Sequence, residues 1–129
     1  MTEISFFVPG IPTAWARTAS YEGRRLTPAK QRAAMNTVGF YYANGKNPVF
    51  AGPLHVGVIA TYPRPKKHKP GKLWPEWKSS RPDIDNILKL VADGLNGVAW
   101  YDDAQIVSVS GNKIYGDTPG LSIEIRPLA

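Results

Sequence analysis

The stretch Asp83-Ile84-Asp85-Asn86-Ile87-Leu88-Lys89-Leu90-Val91-Ala92-Asp93-Gly94-Leu95-Asn96 decides the fold of this chain. Ile84, Ile87, Leu88, Val91, Ala92 and Leu95 recur at spacings of three and four, which gathers them on one side of an α-helix. Gly97 follows as a stop. A helix with one apolar side needs a surface to cover, and the flanking sequence supplies strands. Leu54 to Tyr62 is β-branched and half alternating, as expected of a strand with one covered face, and Pro63 ends it. Gln105 to Tyr115 reads as another strand. In the last one Leu121, Ile123 and Ile125 alternate with Ser122, Glu124 and Arg126. Upstream, Glu3 to Pro9 reads as a first strand. A helix is predicted from Thr27-Pro28 to about Asn44, with Gly45 as its stop and Ala34, Met35, Val38, Tyr41 and Tyr42 as its inner face.

The order β, α, β, α, β, β with hairpin-like final strands predicts an α+β fold of two layers, a mixed β-sheet with two helices packed on one face. Residues 13–26 and 64–80 read as loops, the second because its prolines and basic residues leave no regular pattern. The chain has 129 residues, the size of one compact domain, and no repeat or linker divides it, so 1–129 is expected to form a single domain.

No apolar run approaches the roughly 20 residues of a membrane span, and the N-terminus lacks the pattern of a signal peptide, which predicts a cytoplasmic protein with no membrane role. With no cysteine, disulfides and thiolate metal sites are excluded, so any metal must be held by carboxylates, carbonyls, imidazole or water. The formal net charge is +6, which favours an anionic partner, nucleic acid first. Its distribution sharpens this: Arg64, Lys66, Lys67, Lys69, Lys72 and Lys78 crowd one loop that leads directly into the acidic helix start.

On the helix 83–96, Asp85, Lys89 and Asp93 line up on the side opposite the apolar residues. Asp83 stands just before the first turn, where its carboxylate can converge with that of Asp85. A second acidic pair, Asp102-Asp103, opens a strand that is expected to neighbour this helix start. Carboxylates meeting without thiols or a histidine cluster suit Mg²⁺ or Mn²⁺, hard ions that prefer oxygen. Such ions serve phosphodiester cleavage, and a nearby lysine suits the charge that develops on the phosphate. The plainer reading makes Asp83 a helix cap, Asp85 and Lys89 an i,i+4 pair, and Asp102-Asp103 a turn. It leaves the basic loop and the second acidic pair without a purpose. His55 and His68 suggest no zinc site. Trp74 and Trp77 fit either base stacking or anchoring of their loop. The basic loop residues, with Arg17, Arg24 and Arg25, form a candidate phosphate-positioning track.

Arg81-Pro82-Asp83-Ile84-Asp85-Asn86-Ile87-Leu88-Lys89, then Asp93-Gly94-Leu95, then Trp100-Tyr101-Asp102-Asp103-Ala104-Gln105-Ile106-Val107, closely resembles the signature of the RusA family of Holliday-junction resolvases. The two halves together are specific. Val8-Pro9-Gly10-Ile11-Pro12 with Arg17 resembles the family's opening, so the likeness runs over most of the chain. The resemblance implies a metal-dependent endodeoxyribonuclease that resolves four-way junctions by paired symmetric nicks, in recombination and repair, often in phage or prophage modules. It places the metal-binding acids on Asp83, Asp85 and Asp103 and the catalytic lysine on Lys89, with Asp102 non-catalytic. It further implies Mg²⁺ or Mn²⁺ as cofactor, branched DNA as partner and a homodimer. Arg17, Arg64, Lys66, Lys67, Lys69, Lys72 and Arg81 are the candidate DNA contacts. One departure, Pro12-Thr13-Ala14-Trp15-Ala16-Arg17 where relatives often carry a lysine, bears on DNA contacts in that loop more than on catalysis. The alternative is a branched-DNA-binding module of the same fold with weak or no turnover. A third possibility is a protein that does not bind nucleic acid and whose acidic helix start only caps.

Overall fold

The computed structural model describes residues 2–15, 20–21, 24–25, 29–66 and 75–128, with backbone only at 20–21 and 24–25. In chain order the elements are β1 (Ile4–Pro9), β2 (Ser20–Tyr21), β3 (Arg24–Arg25), α1 (Ala29–Asn44), β4 (Leu54–Tyr62), β5 (Glu76–Trp77), α2 (Ile84–Leu95), β6 (Ile106–Tyr115) and β7 (Gly120–Pro127). Five strands form one mixed sheet in the order β1-β7-β4-β6-β5, and β2 and β3 form a separate two-stranded ribbon. The α+β architecture with two helices is the one expected.

The helices cover one face of the sheet. On that face the cross-strand pairs Val56–Ile125, Val58–Ile123 and Ala60–Leu121 line up between β4 and β7. They share a single buried cluster with Val38 and Tyr42 of α1 and with Ile87, Leu90, Val91 and Leu95 of α2. Phe50, Ala99 and Trp100 complete it at the far end of α2. The opposite face of the sheet is largely polar, with His55, Ser108, Ser110, Ser122 and Glu124 in neighbouring positions and Phe7 and Ile59 beside Ser122. Odd and even residues of β4 therefore meet different environments, the period-2 logic that made the strand legible.

Five expectations change. The last two strands are not a hairpin: β4 lies between them, parallel to β6 and antiparallel to β7. The β6–β7 turn therefore spans a neighbouring strand, a pairing that local pattern cannot report. The loop 64–80 contains β5, which pairs with the end of β6 at Glu76–Tyr115 and Trp77–Ile114, and the loop 13–26 contains the β2–β3 ribbon. Tyr41, expected on the inner face of α1, is 38% exposed, while Gln31 and Gly39 face inward. The expected helix start at Thr27-Pro28 lies outside the described residues. The left-handed residue after α1 is Lys46, at φ 55°, rather than Gly45. Gly97, at φ 76°, ends α2 as expected.

The two helices touch backbone to backbone. A Cβ added to Gly39 would sit 2.9 Å from the Gly94 carbonyl oxygen, and one added to Gly94 would sit 2.8 Å from the Met35 carbonyl oxygen. Glycine normally weakens a helix interior, and here it is the only residue that lets α1 and α2 approach this closely. Among the described residues no helix is long and apolar enough to cross a membrane.

Gly94→Ala is expected to lower stability by about 1–3 kcal/mol in urea unfolding, since overpacking against backbone outweighs the gain in helix propensity. An unchanged midpoint would refute this close contact. Tyr62 supplies a test in pH. Its buried hydroxyl has no partner among the described residues, and burial pushes the phenol up from 10.0 to about 12. The unfolded chain thus ionises first, so stability falls as pH rises from 10 towards 12. Tyr62→Phe should match the wild type in thermal melts at pH 7 and lose less stability over that alkaline window. Tyr42, also pushed up to about 12, retains part of the slope.

Candidate active site

Asp83 occupies the N-cap position of α2, yet its side chain makes no capping hydrogen bond. Among the described residues this aspartate neither caps nor pairs, which is unusual at a position where capping is worth about 1 kcal/mol. Its carboxylate is left to the adjoining pit, which is lined by Ala14, Trp15, Arg81, Pro82, Asp83, Asp85 and Asn86. Asp85, in the first turn, accepts a hydrogen bond from the Asn86 amide at 3.0 Å and borders the same pit. Two carboxylates and an arginine thus open on one cavity beside the exposed amides of a helix start.

Lys89 stands one turn further along. Its ammonium lies 3.4 Å from an Asp93 carboxylate oxygen and 4.9 Å from the centre of the Trp15 ring. Trp15 is fixed in turn by its amide, which donates to the Asn86 carbonyl at 2.9 Å. The i,i+4 partner of Lys89 is Asp93, so Asp85 is not spent on it. The cation sits half-exposed over an aromatic face, a contact worth about 0.5–1 kcal/mol at such a site.

The turn that delivers Asp83 is held from the sheet. The Lys113 ammonium, on the helix-covered side of β6, donates to the Ser80 and Pro82 carbonyls, both at 2.7 Å. Sequence reading overlooked Lys113. Its signal was faint: a lone cation on a strand face otherwise occupied by Val109 and Gly111. The sequence places Trp15 in the loop 13–26 and gives it no contact with Lys89.

Asp103 lies elsewhere. Gly111 of β6 faces Ile84 and Leu88 of α2, and Lys113 reaches Pro82 beyond them, so β6 runs antiparallel to α2. The start of β6 therefore lies by the C-terminal end of α2, where Gly97 donates to the Trp100 carbonyl. The expectation that this strand entrance neighbours the helix start is overturned, because the Gly97–Trp100 and Trp100–Asp103 hydrogen bonds hold the segment at the C-terminal end of α2. The 12 residues of α2 span about 18 Å. In keeping with that, no three acidic or imidazole groups among the described residues gather at metal-binding distance. Asp103 accepts from the Trp100 indole N–H at 2.7 Å. Asp102 caps the short 3-10 turn Asp103–Gln105 by accepting from the Ala104 amide at 2.9 Å, and Gln105 reaches back to the Tyr101 and Asp102 amides. That turn is tied to the core by hydrogen bonds from the Gln105 amide group to the Phe50 and Gly52 carbonyls.

Of the expected DNA track, Arg81 lines the pit and Lys66 is exposed. Arg64 is committed instead to Glu76, at 2.8 Å, and to Asp117. Hydrogen bonds donated first to Glu76 and then to Asp117 raise its pKa further above its ordinary range, and the trio pins β5 to the sheet. Trp77 is exposed rather than an anchor. Arg17, Lys67, Lys69, Lys72, His68 and Trp74 lie outside the described residues, as do the side chains of Arg24 and Arg25.

Residues 8–126 match the family model described as Endodeoxyribonuclease RusA. The "Uncharacterized protein YqaN" of Bacillus subtilis (strain 168) is 28% identical to this chain over 141 aligned residues, 98% of this chain and 97% of that protein. The "Crossover junction endodeoxyribonuclease rusA" of Lactococcus phage r1t is 36% identical over 74 residues, 57% of this chain and 53% of that protein.

Lys113→Met is expected to cost about 1.5 kcal/mol of stability, the low end for hydrogen bonds from a charged donor. Faster amide hydrogen exchange at Asn86 and Ile87 should accompany it. Wild-type exchange at both amides would show that the turn before Asp83 is held by something other than Lys113.

Proposed function

The chain belongs to the RusA endodeoxyribonuclease family, and from that premise we propose that it is a metal-dependent, structure-selective nuclease that resolves four-way DNA junctions by paired symmetric nicks. The observation that carries this reading is the uncapped Asp83 carboxylate beside Asp85 in a pit flanked by Lys89 and Arg81. We place the activity in DNA recombination and repair in the cytoplasm, with residues 1–129 acting as one domain.

The donor set fits Mg²⁺ or Mn²⁺: Asp83 and Asp85 are hard oxygen ligands, and Mg²⁺ is commonly held by one or two carboxylates, with waters and substrate phosphate completing its shell. When bound, the cation would supply Lewis-acid polarisation of the phosphate and a water of lowered pKa. The protein groups do the rest. Arg81 and the basic segment from Lys66 to Lys72 hold the DNA backbone, and the net charge of +6 gives that binding its steep dependence on salt. Lys89, kept in place by Asp93 and Trp15, offers its ammonium to the charge that builds on the phosphate oxygens. Lys113 keeps the Asp83 turn from drifting as DNA enters.

Asp103 is the proposed third ligand, and within one chain it stands at the other end of α2. A homodimer resolves this. A two-fold axis that passes beside α2 near its middle would set opposite ends of the two copies side by side, and on that arrangement Asp103 of the partner subunit would serve the pit formed by Asp83 and Asp85. Two such sites related by that axis also suit two symmetric nicks.

Purified protein is expected to nick a synthetic four-way junction only with Mg²⁺ or Mn²⁺, and Asp83→Asn should lower the rate at least 100-fold. Mixing Asp83→Asn with Asp103→Asn provides the sharper readout. If each site draws on both subunits, the heterodimer has one intact site and nicks one strand, whereas sites confined to single chains leave the mixture inactive. Junction binding without metal-dependent cleavage would instead favour a binding module that has lost turnover.

A further inference from the structure

We infer that Trp77 is the platform on which an unpaired base of branched DNA stacks, and so the residue by which this protein tells a branch point from continuous duplex. The inference rests on the branched-DNA reading proposed above and names the group that recognises the branch. Trp77 lies in β5, pairs with Ile114, and shares with Ile114 and Thr61 the face of the sheet that the helices leave bare. β5 is the last strand in the sheet order, so the ring stands at the rim, 62% exposed.

A two-residue strand has too few ladder bonds to fix itself, and β5 is fixed by its neighbours instead. Glu76 is held by Arg64 at 2.8 Å, and Arg64 also by Asp117. The Lys78 amide donates to the Lys113 carbonyl at 3.0 Å. The Lys78 ammonium lies 5.1 Å from the centre of the Tyr62 ring and 5.4 Å from that of Tyr115, and donates to the Ser80 hydroxyl at 2.7 Å. Both residues beside Trp77 are thus committed to holding the strand, while the largest apolar side chain of the three is left in water. An anchoring tryptophan would have the opposite arrangement. A broad ring on a backbone that is already rigid loses little entropy when it is covered, which is the property of a contact residue.

The position of the ring relative to the pit is fixed as well. Lys113 accepts from Lys78 through its carbonyl and donates from its ammonium to the Ser80 and Pro82 carbonyls, both at 2.7 Å. One residue therefore ties down both the Trp77 strand and the turn before Asp83. Trp77 stands six residues before Asp83, a reach of at most about 21 Å, or about six nucleotide steps of 3.4 Å. A ring at that distance meets the same DNA that the pit holds. Lys66 and Arg81, on either side of β5 in the chain, are exposed cations, and Glu76 and Asp117 are both paired with Arg64, so the approach favours an anionic strand. In continuous duplex every base is covered on both faces by its neighbours. At a branch point the stack is interrupted, and a base face is free to lie on Trp77 whatever its sequence.

The test is binding of fluorescent DNA to the full chain without metal, so that cleavage plays no part. Trp77→Ala should weaken binding to a synthetic four-way junction between about fivefold and about a hundredfold, the range for one base on an aromatic ring, and leave binding to linear duplex of the same length unchanged. Trp77→Phe should recover most of the loss. The salt dependence of junction binding should stay that of wild type, because no phosphate contact is removed. 2-Aminopurine at the branch point should be quenched by wild type and not by Trp77→Ala. A junction loss below about fivefold, an equal loss on duplex, or quenching that survives Trp77→Ala overturns the platform. If wild type still cuts junctions with Mg²⁺ in that event, the nuclease reading stands without it. If Trp77→Ala loses junction binding alone and wild type never cuts, the platform stands and the nuclease reading falls.

Discussion

The direct contact between the backbones of α1 and α2 governs the rest of the molecule. Gly39 and Gly94 remove the side chains that would hold the helices apart, so the Gly94 carbonyl and the Met35 backbone occupy the space of a methyl group. This closeness presses Ile87, Leu90, Val91 and Leu95 onto the sheet and leaves no freedom for α2 to roll. The outward direction of Asp85, Lys89 and Asp93 is therefore a packing outcome. The proposed chemistry uses the side of the helix that the core does not need.

The N-terminal end of α2 is set up by what it lacks as much as by what it holds. The helix start carries partial positive charge and free amides, which Asp83 does not neutralise by capping. Lys113 approaches from the sheet but directs its donors to the Ser80 and Pro82 carbonyls, so it steadies the turn. Two acids in a site with this polarity fit the proposed pairing of a cation with an anionic substrate, because each offsets the repulsion the other would meet. Elsewhere the same residue types serve structure alone. Arg64, between Glu76 and Asp117, ties β5 down, and Asp102 caps the turn before β6.

Much of this was legible in the linear chain. The apolar stripe of α2, the stop at Gly97, the alternation in β4 and β7 and the paired Asp-x-Asp-Asn-x-x-Lys and Asp-Asp-Ala-Gln segments all express short-range regularities: a helix repeats every 3.6 residues, a strand every two, and a motif keeps its spacing. They were enough for an α+β fold and for the pit residues Asp83 and Asp85 with Lys89 one turn beyond them. Two residues at β5 are too few to show any period, and Tyr41 was assigned inward because an aromatic ring at helical spacing carries no sign of which neighbour is missing.

The sequence by itself determined which residues form α2 and which side of it is polar, because both follow from local periodicity and side-chain chemistry. Only the tertiary structure decided that β4 enters between β6 and β7, that Lys113 lies under the Asp83 turn and that Asp103 stands a helix length from Asp83. Those are facts of long-range pairing. A strand's pattern states which face it buries but not which neighbour it bonds or in which direction, and the positions of the acids depend on that choice.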